Sequence, residues 1–252
     1  MLLFRKRRKT TNNRLLYRAK LRGYFMSKTD MIMKQYEQVK QLPTLYQLAL
    51  EELETKIKVI QAEWKIRNGY PPIEHIKTRL KEPNSIFSKL QRKGFPLTLD
   101  SIVDKIYDVA GMRIVCAFVK DIYLILEHLK TREDIRIVEI KDYIKNPKSN
   151  GYQSLHVIVQ VPLVLFEDTR WIYVEIQLRT LAMDFWASLE HIIYYKFEQH
   201  VPAHVTEELT EAARAVDQLD RKMLELRKEI LSYNHEDWAN TIQKGLPWEN
   251  AQ

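Results

Sequence analysis

The chain has 252 residues, 45% hydrophobic and 29% charged, long enough for one full domain with a substantial core. It holds no run of 18 apolar residues, which excludes a membrane-spanning helix. Its single cysteine, Cys116, excludes a disulfide framework and fits a reducing compartment such as the cytoplasm. The formal net charge of +7 belongs to a tail: residues 1–25 hold nine Lys and Arg and no acid, and subtracting them leaves −2 for residues 26–252.

That basic tail, densest at Arg5, Lys6, Arg7, Arg8 and Lys9, suits contact with RNA or an anionic surface. It lacks the apolar stretch of a secretory signal, and its composition also fits an organelle transit peptide. A blander account makes Met26 the start and the tail a gene-model extension. From Asp30 to Gly69, Leu42, Leu45, Ala49, Leu53, Ile57, Ile60 and Trp64 recur at three- and four-residue steps and predict a long helix. Pro43 marks a break or a first turn within it, and Gly69, Pro71 and Pro72 end it. A second helix opens at Asn84 or Ser85, both good caps, and stops at Gly94 and Pro96.

A short helix over 98–107, a strand over 112–119, a helix over 121–131 and strands near 135–142, 154–161 and 171–179 follow, with a polar loop from Pro147 to Gly151. Cys116 lies in the apolar run of the first of these strands and reads as a packing residue. A helix runs from Leu181 to about Phe197, and another from about Thr206 to Ser232. In the latter, Leu209, Ala212, Val216, Leu219, Met223, Leu226 and Ile230 alternate steps of three and four, a narrow seam for a partner helix in this chain or another. Residues 236–252 read as a loose end. The pattern predicts an α+β fold, a mixed sheet of about five strands flanked by helices, in one domain over 29–235 between tails at 1–28 and 236–252.

Four constellations carry chemical content. On the last strand Tyr173, Glu175, Gln177 and Arg179 share one face and Ile172, Val174, Ile176 and Leu178 the other. The polar row ends at Thr180, where a helix begins, which is the rim of a sheet and a usual place for ligands. Ser85, Lys89 and Arg92 lie at i, i+4 and i+7 on one helix face, with Lys81 and Arg79 just upstream. Such a face reads as a polyphosphate cradle or as ordinary solvated surface. Asp108 precedes a small-residue turn into a strand that carries Arg113. With Glu175 it makes two carboxylates from different strands, the usual protein share of a Mg²⁺ bound with substrate phosphates, although a lone Asp before a turn also serves as a cap. The loop from Pro147 to His156 offers a cation, Lys148, and an aromatic able to stack on a base, Tyr152; His156 reads either as a site residue or as a structural one. No zinc-ligand spacing, Walker loop or Gly-Xaa-Ser-Xaa-Gly turn is present, so side chains must hold any phosphates.

Together these segments resemble the synthetase domain of the RelA/SpoT family, and more narrowly a stand-alone small alarmone synthetase of the RelP-like kind. The matching stretches are Arg79 to Lys81, Ser85 to Arg92, Asp108 to Ile114, Gly151 to His156, Val174 to Thr180, Ala182 to Ala187 and Glu190-His191, spread over about residues 30–232. The resemblance implies a nucleotidyltransferase-like synthetase fold with long N- and C-terminal helices. It implies pyrophosphate transfer from ATP to the 3′-hydroxyl of GDP or GTP. By matching position Asp108 and Glu175 would bind Mg²⁺, and Glu175 would help deprotonate the hydroxyl. Arg79 and Arg113 would sandwich the adenine, while Lys81, Ser85, Lys89 and Arg92 would hold the ATP phosphates. Tyr152 would stack on the guanine, with Lys148, His156, Gln177, Arg179 and Asp184 on the acceptor side.

A homotetramer formed through terminal helices is also implied. Two departures stand out: Gln153 occupies a position where many members have Arg, and no His-Asp dipeptide occurs, which speaks against the hydrolase activity of long members. The competing readings are pyrophosphorylation of a tRNA 3′ end, which the basic tail favours, and a nucleotide- or RNA-sensing module that only binds.

Overall fold

The computed structural model describes residues 33, 40–67, 69–196 and 202–243; the basic tail and the end of the chain lie outside them. In chain order the elements are α1 (residues 40–67), β1 (Ile73–Leu80), α2 (Pro83–Arg92), α3 (Leu99–Lys105), β2 (Ala110–Cys116), α4 (Val119–Lys130), β3 (Arg136–Asp142), β4 (Leu155–Val164), β5 (Thr169–Thr180), α5 (Leu181–Lys196) and α6 (Ala203–Gln243). The five strands form one sheet in the order β1-β2-β5-β4-β3. Only the central β2–β5 pair is parallel, so the expected mixed α+β sheet of five strands is what forms. A parallel neighbour needs a crossover, here made by α4, β3 and β4.

The alternation on β5 is real. Ile172, Val174, Ile176 and Leu178 are buried, while Tyr173, Glu175 and Gln177 are half-buried on the opposite face. The apolar face joins Met112 and Ile114 of β2 and Val157, Val159 and Val161 of β4 in a single core with Leu50, Leu53 and Ile57 of α1 and Ile122, Ile125 and Leu129 of α4. Cys116 lies in that core, and burial pushes its thiol well above the ordinary range, as a packing residue requires.

β1 is the strand that the periodicity does not reveal. Its only apolar residues are Ile73, Ile76 and Leu80, and it forms because its backbone pairs antiparallel with β2 at the sheet edge, Arg79 opposite Gly111. α2 begins one turn-step earlier than Asn84 or Ser85: Pro83 takes the first helical position after Glu82, which makes no side-chain cap bond. β2 lies at 110–116 rather than 112–119, and α4 starts at Val119. Pro43 lies in continuous helix within residues 40–67 and breaks nothing there. α6 continues past Ser232 to Gln243, so residues 236–243 are helical rather than a loose end.

The seam on α6 divides. Leu209 and Ala213, not Ala212, pack with Trp186, Ala187 and Tyr152 in a second small cluster. Leu219, Met223, Leu226 and Ile230 remain exposed. Further along α6, Asp220 accepts a hydrogen bond from Thr180 Oγ1 at 2.5 Å, and the same hydroxyl accepts from Met183 N at 3.1 Å, capping α5. Burial pushes the Asp220 carboxyl up; Thr180 opposes this, and Asp217 adds to it. A raised carboxyl favours the fold below the unfolded value and loses that contribution as pH rises through the folded one. Asp220→Asn keeps an acceptor for Thr180 and removes the cost. Thermal unfolding should therefore show a Tm above wild type at pH 7, by roughly 2–4 °C for each kcal/mol recovered, with the gap closing toward pH 4.

Candidate active site

The basic face of α2 lines a cavity of about 450 Å³ together with Lys81, just past β1, and Asp108 in the turn before β2. Lys81, Ser85, Lys89 and Arg92 all open into it, joined by Asn84, Ser88 and Asp108. Lys81 Nζ and Lys89 Nζ both donate to Asp108 Oδ2, at 2.8 and 2.7 Å, and Lys81 N bonds Val109 O at 2.8 Å. Burial pushes the Asp108 carboxyl up, but the two ammonium groups outweigh it and hold the group below its ordinary value. Asp108 is therefore ionised at neutral pH, and its Oδ1 is buried without a hydrogen-bond partner.

Arg79 and Arg113 lie on adjacent strands of one sheet face, offset by two residues in register. Gly111 lies opposite Arg79, and a Cβ there would make an ordinary contact with Arg79 Cγ at 3.5 Å. Arg113 Nη1 meets Asp184 Oδ1 at 3.1 Å, and Arg179 Nη1 meets the same oxygen at 3.0 Å. Asp184 thus links the two sides of the site.

Arg179, Tyr152, His156, Glu175 and Gln177 are joined in a chain of polar contacts. Arg179 Nη2 donates to Tyr152 Oη at 2.7 Å. Tyr152 Oη lies 2.8 Å from His156 Nε2, and His156 Nδ1 lies 3.1 Å from Glu175 Oε1. Arginine has no acceptor, so the tyrosine hydroxyl accepts from it. The ionised Glu175 can only accept, so His156 donates to it from Nδ1. Gln177 Nε2 donates to Glu175 Oε2 at 2.8 Å. Burial raises the Glu175 carboxyl, but His156 and Gln177 outweigh burial and the repulsion of Asp108, and the group sits below its ordinary value. Lys148 Nζ stands over the Tyr143 and Tyr152 rings, 4.8 and 4.7 Å from their centroids.

All the residues singled out from the sequence therefore converge on one face of the sheet or on the adjoining cavity. Arg179 is deeper than its place in the polar row implied, at 5% exposure, because Asp184 and Tyr152 close over it. Sequence reasoning missed Asn84 and Ser88, whose i, i+4 spacing beside Ser85 was legible. It also missed Tyr143, which reaches His156 edge-on at 5.2 Å and has no local signature, and the bond from Asn150 Nδ2 to Glu190 Oε1 at 3.0 Å. Gln153, the departure from the common Arg, has a buried Oε1 without a partner.

The loop bearing Tyr152 is seated on α6. Gly151 has φ +85, and a Cβ there would lie 2.5 Å from Ala213 Cβ. Gly151→Ala must strain the backbone and push the loop off the helix. Thermal unfolding of Gly151→Ala should show a Tm below wild type, by roughly 2–4 °C for each kcal/mol of strain.

Two ionised carboxylates, Asp108 and Glu175, lie by a cation-lined cavity, a charge pattern suited to phosphate groups. Residues 78–200 match the model of the region found in RelA / SpoT proteins. Over 186 residues the chain is 49% identical to GTP pyrophosphokinase YwaC of Bacillus subtilis (strain 168), covering 74% of this chain and 89% of that protein. The crystal structure of small alarmone synthetase 2 from Bacillus subtilis shares 48% identity at a TM-score of 0.69, over 75% of this chain and 98% of that one. Small alarmone synthetase 1 from Bacillus subtilis, bound to its product pppGpp, shares 39% identity at a TM-score of 0.71, over 77% and 98%. The chain belongs to the RelA/SpoT family, and its fold is that of the small alarmone synthetases.

Proposed function

We propose that the chain is a GTP pyrophosphokinase, moving the β,γ-pyrophosphate of ATP to the 3′-hydroxyl of GDP or GTP and releasing AMP and guanosine tetra- or pentaphosphate. The observation that carries this reading is the pairing of the Lys81–Lys89–Asp108 cradle with the Tyr152–His156–Glu175 chain on one sheet face. Arg79 and Arg113 take the adenine between them; Lys81, Ser85, Lys89 and Arg92 neutralise the donor phosphates. Lys148, Tyr152, Gln177, Arg179 and Asp184 receive or position the guanine nucleotide.

Asp108 and Glu175 would hold Mg²⁺. Both are ionised, and the buried, unpartnered Oδ1 of Asp108 fits a ligand to a cation. When bound, the ion neutralises phosphate charge and makes the 3′-hydroxyl more acidic. Glu175 accepts the hydroxyl proton while the 3′-oxygen bonds to Pβ. The bond between Pβ and the α,β-bridging oxygen breaks, and that oxygen leaves with AMP. The cationic frame is already in place, so catalysis comes mainly from positioning and charge.

No helix among the described residues is long and apolar enough to cross a membrane, and we place the enzyme in the cytoplasm with its nucleotide substrates. The exposed half of the α6 seam, Leu219 to Ile230, supports assembly of a homotetramer through terminal helices. The reading with a tRNA 3′ end as acceptor rests on the basic tail, outside the described residues. Incubation with ATP, GDP and Mg²⁺, followed by anion-exchange separation, tests the proposal. Guanosine tetraphosphate and equimolar AMP are expected; AMP formed only when labelled tRNA is present would favour the RNA reading.

A further inference from the structure

Tyr173 opens the polar row of β5, and no role in nucleotide handling accounts for it. Its ring stacks on that of Tyr107, with centroids 4.5 Å apart and planes at 30°. Tyr107 immediately precedes Asp108, and Tyr173 lies two residues before Glu175 on the same face. The parallel ladder between β2 and β5 begins only at Ala110 opposite Val174, so the turn that carries Asp108 has no backbone bond to β5. The polar grips on that turn come from the other side, from Lys81 and Lys89. On its other side Tyr173 is held in the ladder, opposite Gln160 of β4. A ring already covered by Tyr107 offers no free face on that side for a base.

We propose that the Tyr107–Tyr173 stack is a brace that sets the spacing between Asp108 and Glu175. Tyr107 and Tyr173 are then positioning residues for the metal-binding pair. This rests on the reading above, in which those two carboxylates hold a divalent ion. A carboxylate pair that drifts by about 1 Å loses both metal affinity and in-line geometry.

Mn²⁺ binding followed by electron paramagnetic resonance, in the presence of GDP and a non-hydrolysable ATP analogue, tests the brace in the full chain. Tyr173→Ala and Tyr107→Leu should each raise the Kd for Mn²⁺ by about 10–100-fold and lower kcat without changing KM for GDP. Tyr173→Phe, which keeps the stack and loses the hydroxyl, should restore both. Wild-type Mn²⁺ affinity in Tyr173→Ala would overturn the brace. So would equal defects in Tyr173→Phe and Tyr173→Ala, which would make the hydroxyl the working group. If Tyr173→Ala does not fold, Tyr107→Leu alone decides. A wild-type chain that binds Mn²⁺ yet makes no product defeats the functional reading, and the binding data still judge the brace.

Discussion

Glu175→Gln is expected to fold as the wild type does and to turn over at least ~10²-fold more slowly. The carboxylate accepts from His156 through Oε1 and from Gln177 through Oε2. An amide of the same shape has one oxygen, so one of those donors would face another donor. It also brings no negative charge to a cation and cannot take the hydroxyl proton. The fold should survive, since the neighbours on the strand, Val174 and Ile176, keep their buried places. Circular dichroism and thermal unfolding check the fold, and AMP release checks the rate. A variant within about tenfold of wild type would remove Glu175 from the chemistry.

Arg179→Gln should damage both stability and acceptor binding. The guanidinium is buried and bonded to Asp184, Tyr152 and Gln177. Its loss leaves Asp184 with Arg113 alone and the Tyr152 hydroxyl with His156 alone. Breaking a buried ion pair costs about 3 kcal/mol, a fall in Tm of roughly 6–12 °C for a domain of this size. Tyr152 no longer steered by Arg179 should raise KM for the guanine nucleotide more than KM for ATP. Arg179→Lys should not rescue, because a single ammonium cannot reach Asp184 and Tyr152 together as the fork does. Calorimetry and steady-state kinetics on the two variants check these outcomes.

The parts of this architecture that obey a short period were legible in the sequence. Strand β5 announced itself by alternation, and the cradle by the i, i+4, i+7 spacing of Ser85, Lys89 and Arg92. The roles of the site residues came from resemblance to a family rather than from pattern. What stayed hidden depends on partners distant in sequence. β1 exists because β2 pairs with it, and its own residues alternate poorly. That Gly111, three residues after Asp108, lies opposite Glu175 follows from the parallel register of β2 and β5, which no local signal encodes. The need for glycine at 151 arises from Ala213 on a helix some sixty residues later. Burial of Arg179 likewise required the loop and α5 to be in place.

The central claim is that two phosphates travel from ATP as one unit. ATP labelled separately in its β and γ phosphates, incubated with GDP and Mg²⁺, tests it most directly. The account predicts both labels in equal amounts on the 3′ position of guanosine, with unlabelled AMP as the other product. A product carrying the γ label alone, or both labels released as inorganic phosphate or pyrophosphate with no guanosine polyphosphate, would contradict it.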